Sequence, residues 1–183
     1  MKTKIFLFIL VLLMTLLAGC AGESSPPKTT PPEAEPDVQT TASIVDNADA
    51  FKKAISNTGT WIICLTEDIS IDEDIVLDGK FTNGKKDDNG NEIVQRKVAL
   101  YAQDENRNIT DRYTLTAPKF TINSPKASIQ HGTFKGDLYI SAEDFQLVDT
   151  TVEGDLYFTN EEAQSSYTKD GDSEITGKTE LQE

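Results

Sequence analysis

The stretch Thr133–Phe158, TFKGDLYISAEDFQLVDTTVEGDLYF, contains nearly the same motif twice. Gly136–Tyr139 reads GDLY and recurs as Gly154–Tyr157, at a spacing of 154 − 136 = 18 along the chain. The repeat extends upstream, because Phe120 precedes Leu138 by the same spacing, 138 − 120 = 18. Self-similarity at a fixed period is the sequence signature of a repeat protein in which each copy stacks on the next.

Such a period is too short for a repeated helical hairpin, and it fits one turn of a parallel β-helix. Apolar and polar residues alternate within each copy. This alternation places Phe134, Leu138 and Ile140 inward on one strand, and Phe145 and Leu147 inward on the next. The predicted core is therefore a column of stacked apolar side chains on rungs about 4.8 Å apart.

The spacing of the aliphatic residues bears on the hand of the helix. Left-handed β-helices repeat an aliphatic residue every six positions, but counting in sixes from Phe134 reaches Gln146, which is polar. Near the C-terminus, EITGKTEL is a degenerate further copy with Gly177 at the glycine position. The sequence predicts an all-β fold, a single-stranded right-handed parallel β-helix of about 18 residues per rung.

A short amphipathic helix precedes the strands. In the segment DNADAFKKAIS, either Asp46 or Asn47 can act as N-cap, and Ala48, Phe51 and Ile55 fall on one face. We expect this helix to cap the N-terminal end of the β-helix, where open strand edges would otherwise invite aggregation. No second helix is predicted downstream.

Two irregular inserts interrupt the strands. Thr82–Glu92 carries two Asn-Gly pairs, which favour tight hairpin turns. Its residues Asp87, Asn89 and Asn91 superficially resemble a calcium loop, but the glycine spacing differs and no suitably spaced glutamate follows. The second insert, Ser166–Glu174, is predicted to be a polar turn. Neither insert is predicted to bind metal.

The N-terminus has the features of a secretory signal. Lys2 and Lys4 precede the apolar run Ile5–Leu17, whose 17 − 5 + 1 = 13 residues are fewer than the roughly 20 that span a bilayer. Residues 1–19 are therefore predicted to be a signal peptide.

The four residues Leu17-Ala18-Gly19-Cys20 resemble the lipobox of bacterial lipoproteins. The resemblance implies that Cys20 is lipidated and becomes the first mature residue. Two or three acyl chains on this cysteine would anchor the protein stably in the membrane. Residues 20–43 are rich in Pro, Thr, Ser and Glu and are predicted to be a disordered tether. Residues 44–183 then form the β-helix domain.

Charge and cysteine content exclude several functions. Without the two signal-peptide lysines, the chain has 17 − 2 = 15 basic and 31 acidic residues, a formal charge of −16. This balance argues against nucleic-acid binding and against adhesion to anionic lipid headgroups. Cys64 is predicted to be a small buried residue, and no disulfide is available. The single histidine, His131, is expected to face solvent in a turn, and it cannot form a histidine-based metal cluster.

The repeated outward residues are the candidate binding site. Stacking would bring Tyr139 over Tyr157 and would align Asp137 with Asp155. This aromatic platform beside carboxylates could bind a polysaccharide, or the acid pair could share a calcium ion, although no cofactor is required. The competing interpretation is structural, because tyrosine favours strands and Gly-Asp favours turns.

The order of tether, capping helix and stacked strands resembles the pectate-lyase-like right-handed β-helix proteins, and the GDLY turns resemble the polymer-forming bactofilin-type domain. These resemblances imply architecture, with self-association as one possibility for the second. We expect a lipoprotein at the extracytoplasmic face of the cell membrane, serving as a non-catalytic binding or structural module. The alternative is a polysaccharide lyase-like enzyme that uses Asp137, Asp155, Lys119 and Lys135, although no family signature surrounds them.

Overall fold

The computed structural model describes residues 42–182. The predicted signal peptide, Cys20 and the tether as far as residue 41 therefore lie outside the described residues. The first strand begins at Ser43, the last residue of the predicted tether. The described part is mostly strand in parallel sheets, which agrees with the prediction of an all-β fold.

The elements are short and follow one another closely. In the first half they are β1 (Ser43–Val45), α1 (Ala48–Ile55), β2 (Ile62–Leu65), β3 (Ile69–Ser70), β4 (Ile75–Leu77), β5 (Thr82–Lys86), β6 (Glu92–Val94), β7 (Arg96–Ala99), β8 (Tyr101–Gln103) and β9 (Ile109–Arg112). In the second half they are β10 (Thr114–Ile122), β11 (Ala127–Gln130), β12 (Thr133–Ile140), β13 (Gln146–Val148), β14 (Thr151–Glu153), β15 (Leu156–Phe158), α2 (Glu161–Ser166), β16 (Thr168–Lys169), β17 (Glu174–Ile175) and β18 (Thr179–Leu181).

Most strands belong to one of two parallel sheets, and the chain passes back and forth between them. The first sheet has the order β1-β2-β7-β11-β13-β16, and the second has the order β17-β14-β12-β10-β3. The second sheet is extended by β4 beside β10, by β15 beside β12 and by β18 beside β15. From β10 to β13 successive strands lie in opposite sheets, so each passage along the chain adds one strand to both.

The pairing register follows the predicted period. Leu138 pairs with Phe120 on one side and with Leu156 on the other, and each partner is one full repeat away in the sequence. In the first sheet, Ile129 pairs with Leu147 at the same spacing. The period changes where β10 carries a register irregularity between Thr116 and Lys119.

The core lies between the two sheets. All five residues predicted to point inward, Phe134, Leu138, Ile140, Phe145 and Leu147, are buried with at most 1% exposure. That part of the prediction is confirmed. Each such side chain stabilises the fold by about 1.5–3 kcal/mol through removal of apolar surface from water.

The helix α1 packs against β1, β2 and β4 at the N-terminal end of the sheets. Asn47 is its N-cap, and its side chain accepts a hydrogen bond from the Ala50 amide at 2.9 Å. Phe51 is fully buried and its ring lies 6.3 Å from that of Phe120. The predicted helix, its apolar face and its N-cap are therefore confirmed.

A buried arginine satisfies the carbonyl groups at the end of α1. Arg96 donates to the carbonyl oxygens of Ala54 at 2.7 Å and Ser56 at 3.1 Å, and it lies over the Phe81 ring. These carbonyls have no partner within the helix, so an internal donor stabilises the helix end. Burial lowers the pKa of Arg96 to about 10.

Both inserted hairpins are built around an Asx turn. Strands β5 and β6 pair antiparallel, as predicted for the first insert. The Asp87 carboxylate accepts hydrogen bonds from the Asn89 and Asn91 amides at 2.9 and 2.8 Å, so it organises the loop. A second hairpin, β8–β9, was not predicted, although Asp104 bonds the Asn108 amide in the same way at 2.8 Å.

The prediction of a single helix was wrong, because α2 follows β15. Asn160 caps α2 and accepts from the Ala163 amide at 2.7 Å. Only Ala163 is buried, so this short helix has no amphipathic pattern to read. The helix lengthens one repeat, and Leu156 pairs with Thr179 at a spacing of 179 − 156 = 23. The second insert also contains strand residues on either side of its turn.

Two single-residue predictions also need correction. Cys64 alternates with Ile63 and Leu65, which are buried, so its side chain lies on the outer side of β2 and is only half-buried. Burial still raises the pKa of its thiol. His131 does lie in a turn at φ 60°, but its side chain is only 24% exposed because it packs edge-on against Tyr101.

Candidate functional site

The repeated tyrosines stand on the outer side of the second sheet and form the centre of a column. We call the column Lys119, Tyr139, Tyr157 and Lys178 the tyrosine ladder. The two tyrosine rings pack against each other at a tilt of 34°, with their centroids 4.7 Å apart. The Lys119 Nζ atom lies 4.0 Å from the Tyr139 ring centroid, and Lys178 Nζ lies 5.2 Å from that of Tyr157. The structure therefore brings the predicted tyrosines together, with a lysine at each end.

The repeated aspartates lie beside the ladder and bind the backbone of the following copy. Asp137 accepts a hydrogen bond from the Asp155 amide at 3.0 Å. Asp155 in turn accepts from the Lys178 amide at 2.9 Å and from the Tyr157 hydroxyl at 2.9 Å. Each carboxylate therefore links two neighbouring copies of the repeat.

The electrostatics agree with this linking role. Hydrogen bonds from the Lys178 amide and then from the Tyr157 hydroxyl lower the pKa of Asp155. The bond to Asp155 raises the pKa of Tyr157. The pKa of Lys178 is raised mainly by Glu180, whose carboxylate lies 2.8 Å away. All three groups are held in their usual charge states at neutral pH.

The ladder offers little for a ligand to contact. One face of Tyr139 is covered by Lys119 and the other by Tyr157, while Lys178 lies over the outer face of Tyr157. A sugar ring that stacks on an aromatic side chain needs an open ring face. Lys135, the remaining residue of the lyase-like set, forms an ion pair with Glu153 at 3.1 Å.

A groove lies beside the outer side of the first sheet, where the β5–β6 hairpin approaches β11 and β13. Its volume is about 520 Å³. It combines amide, hydroxyl, charged and aliphatic side chains. We call it the amide groove, and its lining residues are Asn83, Ile93, Val94, Gln95, Lys126, Ser128, Asp144 and Gln146.

Several polar groups of the amide groove have no hydrogen-bond partner among residues 42–182. Asn83 donates to the Gln95 side-chain oxygen at 2.8 Å, which leaves the Gln95 amino group free. Ser128 accepts from the Gln130 side chain at 3.0 Å and keeps its own hydroxyl hydrogen available. The exposed side chain of Gln146 has no hydrogen-bond partner in this part of the chain.

A polar cluster lies at the corner between the two sheets. The Asp149 carboxylate contacts Arg112 Nη2 at 2.5 Å and His131 Nδ1 at 3.0 Å. Arg112 and then His131 lower the pKa of Asp149. The Asp149 amide is bound by the Asp170 carboxylate at 2.9 Å. The cluster fastens β9 to the second half of the chain.

Sequence reasoning missed both the groove and the corner cluster. One signal was available in the sequence, because His131 and Asp149 are separated by one repeat, as are Lys126 and Asp144. In the structure all four residues have positive φ. These pairs mark equivalent turns of the repeat. The hairpin side of the groove has no such signal, since Asn83 and Gln95 lie outside the regular copies.

The described residues offer neither a metal cluster nor a membrane-spanning helix. Between residues 42 and 182, no three His, Cys, Asp or Glu side chains are grouped so that they could hold a metal ion. No helix within that range has the length and hydropathy required to cross a membrane.

Comparison with known proteins gives no relative. No protein-family model, no curated protein and no solved structure matches this chain.

Proposed function

We propose that the chain is an exported lipoprotein, anchored by Cys20 at the extracytoplasmic face of the cell membrane, whose domain is a non-catalytic structural module. The lipobox, Leu17-Ala18-Gly19-Cys20, supports the anchor. The tether of residues 20–43 would hold the domain away from the lipid surface.

We further propose that the domain is a right-handed parallel β-helix. The alternation of the chain between two parallel sheets supports this architecture, as does pairing between residues one repeat apart. The polar Gln146 in the six-residue count favours the right-handed form. Since α1 covers the N-terminal end, we expect a monomer or a dimer instead of a filament.

The structural role rests on one observation, which is that the repeated outward residues are used to hold neighbouring copies together. Asp137 and Asp155 bind the backbone of the next copy, and the rings of Tyr139 and Tyr157 cover each other. Side chains that bind the neighbouring copy of the repeat stabilise the stack of strands. A polysaccharide could reach only the edges of the tyrosine rings, so we assign the ladder a structural role.

The anchor is tested by metabolic labelling with a palmitate analogue in a bacterial host, followed by membrane fractionation. We expect the full chain to incorporate label and to pellet with membranes. Cys20→Ser should abolish both. Cys64→Ser is the matched control, because Cys64 lies within the domain, and it should keep both. Label retained in Cys20→Ser, or lost in Cys64→Ser, would contradict the assignment.

The enzyme alternative is tested by incubating the full chain in detergent with acidic and neutral cell-wall polysaccharides, with and without calcium. We expect no new reducing ends and no unsaturated products. Asp172→Asn is the control, because Asp172 is exposed and lies outside both the ladder and the amide groove. Cleavage that is lost in Asp155→Asn at a temperature where this variant is still folded, but retained in Asp172→Asn, would establish the lyase-like reading and overturn the structural one.

A further inference from the structure

We infer that the amide groove is a binding site for a neutral oligosaccharide. This inference concerns different residues from the tyrosine ladder, and it does not depend on the proposed lipid anchor. The volume of the amide groove, about 520 Å³, falls within the range of about 300–1,000 Å³ that is typical of small-molecule sites.

The first argument is the number of hydrogen-bonding groups in the amide groove that have no partner in the described chain. The Gln146 amide, the Ser128 hydroxyl hydrogen and the Gln95 amino group have no partner among residues 42–182. Ser128 is itself only 4% exposed. Amide and hydroxyl groups pair with the hydroxyl groups of a sugar, because both kinds of group donate and accept.

The second argument is the position of the polar side chains relative to each other. Ser128 and Gln146 are directly paired on β11 and β13, so their side chains stand on the same side of the first sheet, one copy apart. The hydrogen bond from Asn83 holds Gln95 in place on the opposite wall. A ligand in the groove therefore meets donors and acceptors on two walls, which fixes its orientation.

The third argument is charge. Lys126 and Asp144 carry opposite charges at equivalent turns of the repeat, and the other described residues that line the groove are uncharged. The groove is therefore neutral as a whole, although the chain carries a formal charge of −14. A polyanionic ligand would be repelled by the acidic surface, while a neutral ligand would not. Ile93 and Val94 add an aliphatic surface that suits the C–H groups of a sugar ring.

The experiment is isothermal titration calorimetry of the full chain in detergent micelles. The probes are neutral hexasaccharides of glucose, mannose, galactose and N-acetylglucosamine, a galacturonate hexamer and an end-blocked Gly-Ser hexapeptide. We expect at least one neutral hexasaccharide to bind at one site per chain. The galacturonate hexamer and the peptide should bind at least tenfold more weakly.

Two variants locate the site, and a third is their control. Gln146→Ala and Ser128→Ala should each weaken binding by about tenfold, because each removes one hydrogen bond to the ligand. Gln164→Ala is the matched control, since Gln164 is exposed on α2 and lies outside the groove. It should leave the dissociation constant unchanged. Thermal unfolding of each variant checks that the fold is retained.

The inference is overturned by any of three results. These are the absence of binding by every neutral hexasaccharide, preferential binding of the galacturonate hexamer or the peptide, and binding that Gln146→Ala and Ser128→Ala leave unchanged. The anchor is tested separately with Cys20→Ser, so failure of one proposal is distinguishable from failure of the other.

Discussion

The tyrosine ladder and the amide groove are both on the outer side of a parallel sheet, but they use their polar groups differently. Beside the ladder, Asp155 accepts two hydrogen bonds, and within it the ring of Tyr157 packs against that of Tyr139. In the groove, Gln146 and the Ser128 hydroxyl hydrogen are left without a partner among the described residues. The face with the clearer sequence repeat is therefore the one that is less available to a ligand.

The difference has a simple physical cause. When a residue recurs at the spacing of the stack, its copies lie about 4.8 Å apart and interact with each other. Identical outward residues therefore tend to satisfy one another. An inserted hairpin such as β5–β6 meets the sheet without that regularity, and its side chains are not all matched. The repeat thus predicts stability better than it predicts a binding site.

The largest expected effect comes from a substitution at the repeated glycine that precedes the ladder tyrosine. A Cβ atom on Gly154 would overlap the backbone carbonyl of Gly136 in the preceding copy. Because backbone cannot move aside as a side chain can, we expect Gly154→Ala to lower the free energy of unfolding by about 3 kcal/mol or more. Denaturant unfolding measures this.

Gly171→Ala is the control for that variant. A Cβ atom at Gly171 meets nothing within 4 Å, so the substitution should be nearly neutral. Equal stability of the two variants would show that close stacking at Gly154 is not required.

An intermediate effect, which depends on pH, is expected from the Asp155 carboxylate beside the ladder. The pKa of Asp155 is lowered in the folded chain, so its ionised form stabilises the fold above its unfolded pKa of about 3.9. That stability is lost as the pH falls through the folded pKa. Asp155→Asn should therefore be less stable than the unmodified chain at pH 7, and the difference should shrink toward pH 2.

Urea unfolding from pH 7 to pH 2 measures the dependence. Asp144→Asn in the groove is the control, because the Asp144 carboxylate has no hydrogen-bond partner in the described chain. At pH 7 it should be as stable as the unmodified protein. A constant difference for Asp155→Asn across the whole range would argue against the linkage.

A smaller effect is expected at the end of the ladder. Lys119→Met keeps the length of the side chain but removes the cation over the Tyr139 ring, which should cost about 0.5–1 kcal/mol. Lys126→Met is the matched control in the groove, since Lys126 covers no ring among the described residues. If both variants lose the same stability in thermal unfolding, the cation–π contact contributes nothing.

The smallest effect on stability is expected for Gln146→Ala. Gln146 is exposed and its side chain contributes no hydrogen bond to the described fold, so the free energy of unfolding should change by no more than about 0.5 kcal/mol. The same variant is expected to weaken oligosaccharide binding. A large loss of stability would show that the groove, like the ladder, is structural.

Much of the fold could be predicted because its core obeys a strict alternation. Phe134, Leu138 and Ile140 lie two or four residues apart and are all buried. The α2 helix and the β8–β9 hairpin were missed, since neither buries a regular apolar face. Arg96 was missed as well, because only the completed fold places the carbonyl groups of Ala54 and Ser56 around it.

The sequence alone determined the period, the inward residues and the alignment of Tyr139 with Tyr157, because these depend on local alternation and on a fixed repeat spacing. Only the tertiary structure decided which outer side chains remain free. That outcome depends on how the β5–β6 hairpin lies against β11 and β13, and hence on contacts between residues far apart in the chain. No periodic pattern encodes such contacts, since each is made once.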